Sequence, residues 1–235
     1  MARKLLIIRG FNSKREHWQK VKEIIEKNNI EVLMPDLPGI SYNFDSSQVL
    51  KVEDYEKIIL EILKKANWEK FFLLSHSLGG AIALKFAVDF PKKIEKLIFC
   101  APAIVGTKSP KKIIFYALGQ LFLLLFSLPF LKNYWPQFKK RLLAVGFKDY
   151  YFEKGTRKKI LKNFAKTNYK KLFGKIKNET LILWGKKDKD IPFKFSKKLK
   201  KSIKNSKIII FDNCAHNPHK EIPQEFAKEV IKFIM

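Results

Sequence analysis

Six short apolar runs recur along the 235-residue chain: KLLIIR (4–9), EVLMP (31–35), KFFLLS (70–75), KLIFCA (96–101), TLILW (180–184) and KIIIF (207–211). Each is continuous rather than alternating, which is the pattern of a strand covered on both faces, as in a parallel sheet. Residues at helical spacing lie between several of them. Trp18, Val21, Ile24 and Ile25 share one face, as do Tyr55, Ile58, Ile59 and Ile62. Ala81, Leu84 and Val88 form a third face that Phe90-Pro91 ends, and Phe226, Val230 and Phe233 a fourth that starts at Pro223. Strand and helix alternate, so the expected fold class is α/β: a mostly parallel sheet of about six strands with flanking helices.

One stretch interrupts this rhythm. Residues 107–175 contain no clear strand, yet they are too many for a structureless loop in a compact domain. Their Phe, Leu, Tyr and Trp content predicts a helical lid (cap) insertion at 107–175, with residues 1–106 and 176–235 forming one core domain. Within it, IIFYALGQLFLLLFSLPFL (113–131) approaches the roughly 20 residues that cross a bilayer. A single crossing would strand the runs at 180–184 and 207–211 on the far side of the membrane from the sheet begun at residue 4. Helices that cover the sheet edge and line a substrate pocket are therefore expected, with shallow lipid contact as the second reading.

The chain carries a net charge of +26, and only Arg3, Arg9, Arg15, Arg141 and Arg157 of its 48 basic residues are arginine. Scattered lysines read first as a solvated surface. Weak attraction to an anionic membrane surface is the sharper reading. No nucleic-acid motif accompanies the charge, so no nucleic-acid partner is expected. Cys100 and Cys214 fit no metal spacing and are read as reduced thiols. The first apolar run, Leu5 to Ile8, is shorter than the roughly 7–15 residues of a signal-peptide core, so a cytoplasmic protein is expected.

The chemistry centres on LLSHSLGG, Leu73 to Gly80. It lies where a strand turns into a helix. A sharp strand-turn-helix junction lifts one side chain above the C-terminal sheet edge and needs small residues two positions before and after it. For Ser77 these are Ser75 and Gly79; for Ser75 they would be Leu73 and Ser77, and Leu73 is too large. Ser77 is the raised residue. His76 diverges from its neighbour at such a turn and is read as a packing residue rather than a base.

SHSLGG resembles the nucleophile elbow of the α/β-hydrolase fold, with Ser75 in place of the usual first glycine. LILWGKKDKDIP, NCAHNPHKEIPQEF, IIRGF and MPDLPGIS resemble the family's acid loop, histidine loop, oxyanion loop and Asp-x-Pro-Gly loop. The resemblance implies that Ser77 is the nucleophile, His216 the base and Asp188 its orienting acid, with backbone N–H groups of Phe11 and Leu78 as the oxyanion hole. Asp190 competes for the acid role, but the Gly-x-x-Asp spacing favours Asp188. His219 is expected at the pocket rim or surface, His17 without a partner, Asp36 in a structural role, and Cys214 as a buried bystander. Arg9 stands where many relatives have His, and two roles stay open: ordering the loop through backbone carbonyls, or meeting an anionic substrate. The chain begins at the strand before that loop, so the two leading antiparallel strands of larger relatives are expected to be absent.

The implied activity is a serine carboxylesterase acting through an acyl-enzyme on small-molecule esters with apolar acyl or aromatic groups. No cofactor or metal is implied. Two other readings stand beside it: the same triad in C–C bond hydrolysis, lactone or thioester hydrolysis, and a non-enzymatic binding protein on this scaffold.

Overall fold

The structure, a computed structural model, describes residues 3–104, 110–144 and 149–235. Its centre is a six-stranded sheet of β1 (Arg3–Ile8), β2 (Ile30–Leu33), β3 (Phe71–His76), β4 (Ile94–Cys100), β5 (Glu179–Gly185) and β6 (Ser206–Phe211). The order is β2-β1-β3-β4-β5-β6, and all neighbours run parallel. Each of the six short apolar runs becomes one of these strands.

Strand pleating sends successive side chains to opposite faces. Leu6, Ile8, Leu73, Leu97, Phe99, Ile182 and Trp184 pack into one core layer. Leu5, Ile7, Phe72, Leu74, Ile98, Leu181 and Leu183 pack into the other. The first layer is covered by α2 (Val52–Lys65) and α3 (Gly79–Asp89), the second by α1 (Gln19–Glu26) and α9 (Pro223–Ile234). Both faces must be apolar, which is why the strands read as unbroken hydrophobic runs. Asp54 accepts the Lys51 N–H at 2.7 Å and so satisfies an amide at the start of α2.

Among the described residues of 110–175, the regular elements are all helical: α4 (Pro110–Leu125), α5 (Trp135–Ala144), α6 (Gly155–Lys166) and several 3-10 turns. The expected start of the insertion, between residues 106 and 107, lies outside the described residues. The segment packs in two ways. Ile160 and Phe164 of α6 and Tyr169 and Phe173 of the next turn enter the main core. Leu142, Tyr151 and Phe152 instead form a separate cluster with Leu118, Phe122, Leu123, Trp135 and Phe138. Among the described residues no helix is long and apolar enough to cross a membrane.

Two short helices complete the chain, α7 (Lys194–Ser202) and α8 (Pro218–Glu221). In α7 only Ser196 and Leu199 are buried among lysines, too sparse a pattern to stand out in the sequence.

Candidate active site

Parallel strands bring their C-terminal ends to one edge, and the residues singled out in the sequence gather there. Ser77 follows the last residue of β3 with φ +51°, the left-handed region that L-residues enter at a cost of about 1–2 kcal/mol. The surroundings hold it in place. Its N–H donates to the Cys100 carbonyl at 3.1 Å, and its carbonyl accepts from Ala103 at 2.8 Å and Gly80 at 3.0 Å. A side chain at Gly79 would strike the carbonyl oxygens of Ile8 and Arg9, and one at Gly80 would strike Pro102. The helix start is thus wedged between the ends of β1 and β4. Ser75 is fully buried, its hydroxyl turned to the Ile98 carbonyl at 3.4 Å.

His216 reaches this point from the loop after β6. Its Nε2 lies 3.0 Å from Ser77 Oγ and its Nδ1 lies 2.8 Å from Asp188 Oδ2. Asp188 sits in the turn after β5, and its other oxygen accepts the N–H groups of Asp190 at 2.8 Å and Ile191 at 2.9 Å. A carboxylate only accepts hydrogen bonds, so His216 Nδ1 carries a proton, and in the neutral ring the bare Nε2 faces the Ser77 hydroxyl. The arrangement can take a proton from Ser77 and stabilise the imidazolium that results. Asp190 supplies a backbone N–H to this carboxylate, while Asp188 takes the place beside His216.

The loop carrying His216 is secured from several sides. Gly185 ends β5 directly against the Cys214 and Ala215 carbonyls, where a side chain has no space. Glu221 bridges the loop, accepting the Ala215 N–H at 2.7 Å and the Asn217 N–H at 3.0 Å. His76 Nε2 donates to the His216 carbonyl at 2.9 Å. The neighbour of Ser77 therefore packs, as expected, and also holds the main chain of the distant histidine. Neither this tether nor the Glu221 bridge is signalled in the sequence, because both depend on the fold of the loop.

His219 departs from expectation. It is buried, stacked on Trp18 with ring centres 3.9 Å apart, and lies edge-on to His76 at 4.6 Å. The short α8 turns it inward, away from any rim. Burial pushes His76 down to about 3, helped by the nearby His216, and burial likewise pushes His219 well below its usual range, helped by His76. Both are neutral in the folded chain at pH 7, whereas in the unfolded chain they titrate near 6.5. Below about 6.5 the unfolded state therefore binds more protons than the folded one, so stability falls as pH falls. Each histidine contributes up to about 1.4 kcal/mol per pH unit in that window. His219→Phe keeps a ring on Trp18 and removes one titration. Urea unfolding between about pH 6.5 and 4.5 is expected to show a shallower acid slope in this variant; an unchanged slope would mean that His219 does not titrate in this way.

The loop after β1 passes beside Ser77: a Cβ on Gly10 would lie 3.0 Å from Ser77 Cβ. Among the described residues no hydrogen bond engages the N–H of Phe11 or of Leu78. Arg9 is buried. It donates to the carbonyls of Ser13 at 2.9 Å and Pro35 at 3.4 Å and pairs with Asp36. Of its two open roles, the structure shows the ordering of the loop. Burial alone would raise Asp36, but its bonds from Arg15 and Arg9 outweigh this and hold it below the usual carboxylate range. From above, the Arg157 guanidinium of α6 covers the Phe11 ring at 4.6 Å and donates to Ser41 O at 3.1 Å and Asn12 Oδ1 at 3.3 Å.

Cys100 and Cys214 are free and buried. Burial pushes the Cys214 thiol up to about 12, so it is no thiolate nucleophile at neutral pH. Among the described residues no group of three or more His, Cys, Asp or Glu is placed to hold a metal ion.

A family model described as "Serine aminopeptidase, S33" matches residues 1–223. The chain is 25% identical over 252 residues to monoacylglycerol lipase ABHD6 of Homo sapiens, covering 98% of this chain and 74% of that protein. It is 24% identical over 230 residues to 2-hydroxy-6-oxo-6-phenylhexa-2,4-dienoate hydrolase of Comamonas testosteroni, covering 86% of this chain and 76% of that one. Among solved structures it resembles an esterase from Exiguobacterium antarcticum, with a TM-score of 0.78 at 18% identity over 100% of this chain and 93% of the other. That structural likeness shows the fold.

Proposed function

The chain belongs to the serine aminopeptidase S33 family of α/β-hydrolases, and on that premise we propose that it hydrolyses carboxylic esters with Ser77 as nucleophile. The observation that carries this reading is the continuous hydrogen-bonded chain from Ser77 Oγ to His216 Nε2, and from His216 Nδ1 to Asp188 Oδ2.

The steps follow from that geometry. Ser77 Oγ attacks the ester carbonyl carbon as its proton passes to His216 Nε2. The carbonyl π electrons move to oxygen, and the N–H groups of Leu78 and Phe11 receive the oxyanion. A preorganised donor of this kind is worth about 3–4 kcal/mol in the transition state. Collapse of the tetrahedral intermediate breaks the bond to the alkoxy oxygen, which leaves as alcohol with the proton from His216. Water then attacks the acyl-enzyme and gives its proton to the same nitrogen. A second collapse releases the carboxylic acid and returns the proton to Ser77. Asp188, held by two backbone N–H groups, keeps the imidazole oriented and offsets its charge.

In this proposal residues 107–175 act as the lid, with their inward apolar side chains shaping an acyl or aryl pocket. The similarity to a monoacylglycerol lipase makes glycerol monoesters the first natural substrates to try. The similarity to a dienoate hydrolase supports a second reading, C–C bond cleavage by the same triad. Incubation with a fluorophosphonate followed by peptide mass mapping tests the nucleophile: modification of the Ser77 peptide is expected, and modification elsewhere would refute it. A substrate panel then decides the reaction. Turnover of p-nitrophenyl esters and monoacylglycerols is expected. Turnover of a dienone alone would replace ester hydrolysis with C–C cleavage, and preference for an amino-acid p-nitroanilide would replace it with amide hydrolysis.

A further inference from the structure

The helix α4 is apolar on more than one side, and among the described residues one of those sides packs inward while another is open. Leu118, Phe122 and Leu123 face the small cluster built with Trp135, Phe138 and Phe152. Gly119 lies so close to Tyr151 that a Cβ there would come within 2.9 Å of the Tyr151 carbonyl oxygen. Among the described side chains, those at positions 114, 117, 121, 124, 125 and 128 are exposed. At 3.6 residues per turn they form one stripe along α4 and into the turn after it. The stripe is hydrophobic: Ile114 is 56% exposed and Leu124 68%, with Leu121, Leu125 and Leu128 also open. Phe130 at 71% and Tyr134 at 64% follow in the same turn region. Most of the large hydrophobic side chains exposed among the described residues fall between residues 114 and 134. A soluble helix normally presents polar residues outward, so such a stripe marks a surface that meets an apolar partner.

The charge around it selects the partner. No Asp or Glu occurs between Glu95 and Asp149, whereas Lys111, Lys112, Lys132, Lys139, Lys140 and Arg141 all lie in that span. Lys132, Lys140 and Arg141 are exposed. A second copy of the chain would bring two strongly cationic surfaces together, since each molecule carries a net charge of +26. An anionic lipid surface satisfies both features: acyl chains accept the leucines and Phe130, and headgroups accept the lysines. Tyr134, apolar in body with a polar tip, suits the boundary between the two.

We propose that the outer face of α4 with the turn through Tyr134 is a docking surface for anionic lipid bilayers, holding the protein at the membrane without crossing it. This goes beyond the hydrolase reading and does not depend on it.

The test is co-sedimentation of the full chain with phosphatidylcholine vesicles, with and without phosphatidylglycerol. Binding to the mixed vesicles is expected, and it should exceed binding to phosphatidylcholine alone. The double variant Leu124→Asp/Phe130→Asp changes two exposed positions and should keep the wild-type melting temperature and circular dichroism. Its partitioning is expected to fall by about tenfold or more, because two apolar side chains no longer enter the lipid. Equal partitioning of wild type and variant would overturn the proposal and leave only long-range charge attraction. A wild type that dimerises in solution, ignores vesicles, and becomes monomeric in the variant would overturn it in favour of a second copy on this face.

Discussion

Ser77→Ala is expected to lower kcat/KM for p-nitrophenyl butyrate by about 10⁴-fold or more while the fold stays intact. At 1.36 kcal/mol per factor of ten, this is a loss of about 5 kcal/mol or more of transition-state stabilisation. The loss is large because no other nucleophile can take the position. Ser75 is buried against Ile98, and the Cys214 thiol is held protonated by burial. Some catalysis should persist, since the variant keeps the donors proposed for the oxyanion. A companion variant separates chemistry from strain. Ser77 sits at φ +51°, where glycine is at ease and alanine is not. Ser77→Gly should therefore be as inactive as Ser77→Ala yet more stable by about 1 kcal/mol in urea unfolding. Undiminished turnover in Ser77→Ala would remove Ser77 from the mechanism.

The second large effect is expected from Asp188→Asn, with a fall in kcat of about 10⁴-fold and little change in KM. The reasoning concerns one proton. Asp188 Oδ1 accepts two backbone N–H groups, and an asparagine carbonyl oxygen can do the same. The asparagine amide nitrogen then faces His216 Nδ1, and two N–H donors cannot share that contact. The ring is driven to the tautomer with Nδ1 bare and Nε2 protonated. It then presents N–H to Ser77 Oγ, 3.0 Å away, and cannot take the hydroxyl proton. Steady-state kinetics give the size of the loss, and nitrogen chemical shifts of His216 report the tautomer. Asp190→Asn is the control and should change little, because the carboxylate beside His216 is that of Asp188. If the two variants exchanged these outcomes, the acid would be Asp190.

The sheet is legible in the sequence because burial of both its faces leaves unbroken apolar runs. The elbow at Ser77 is legible because a tight turn demands small residues at fixed offsets, and Ser75 and Gly79 meet that demand. These are local constraints, and a single strand or turn expresses them without reference to the rest of the chain. The polar partnerships are different. His76 holds the main chain of His216 across 140 positions, and Arg9 joins the Asp36 loop across 27. Glu221 braces the His216 loop only because α8 folds back beneath it. His219 reads as a pocket-rim or surface residue until α8 turns it onto Trp18. The faces of α4 likewise look equally apolar in sequence, and only packing decides which one is left outside. Periodicity reports how much side-chain surface must leave water; which hydrogen bonds and which open faces result depends on loops brought together by the order of the strands.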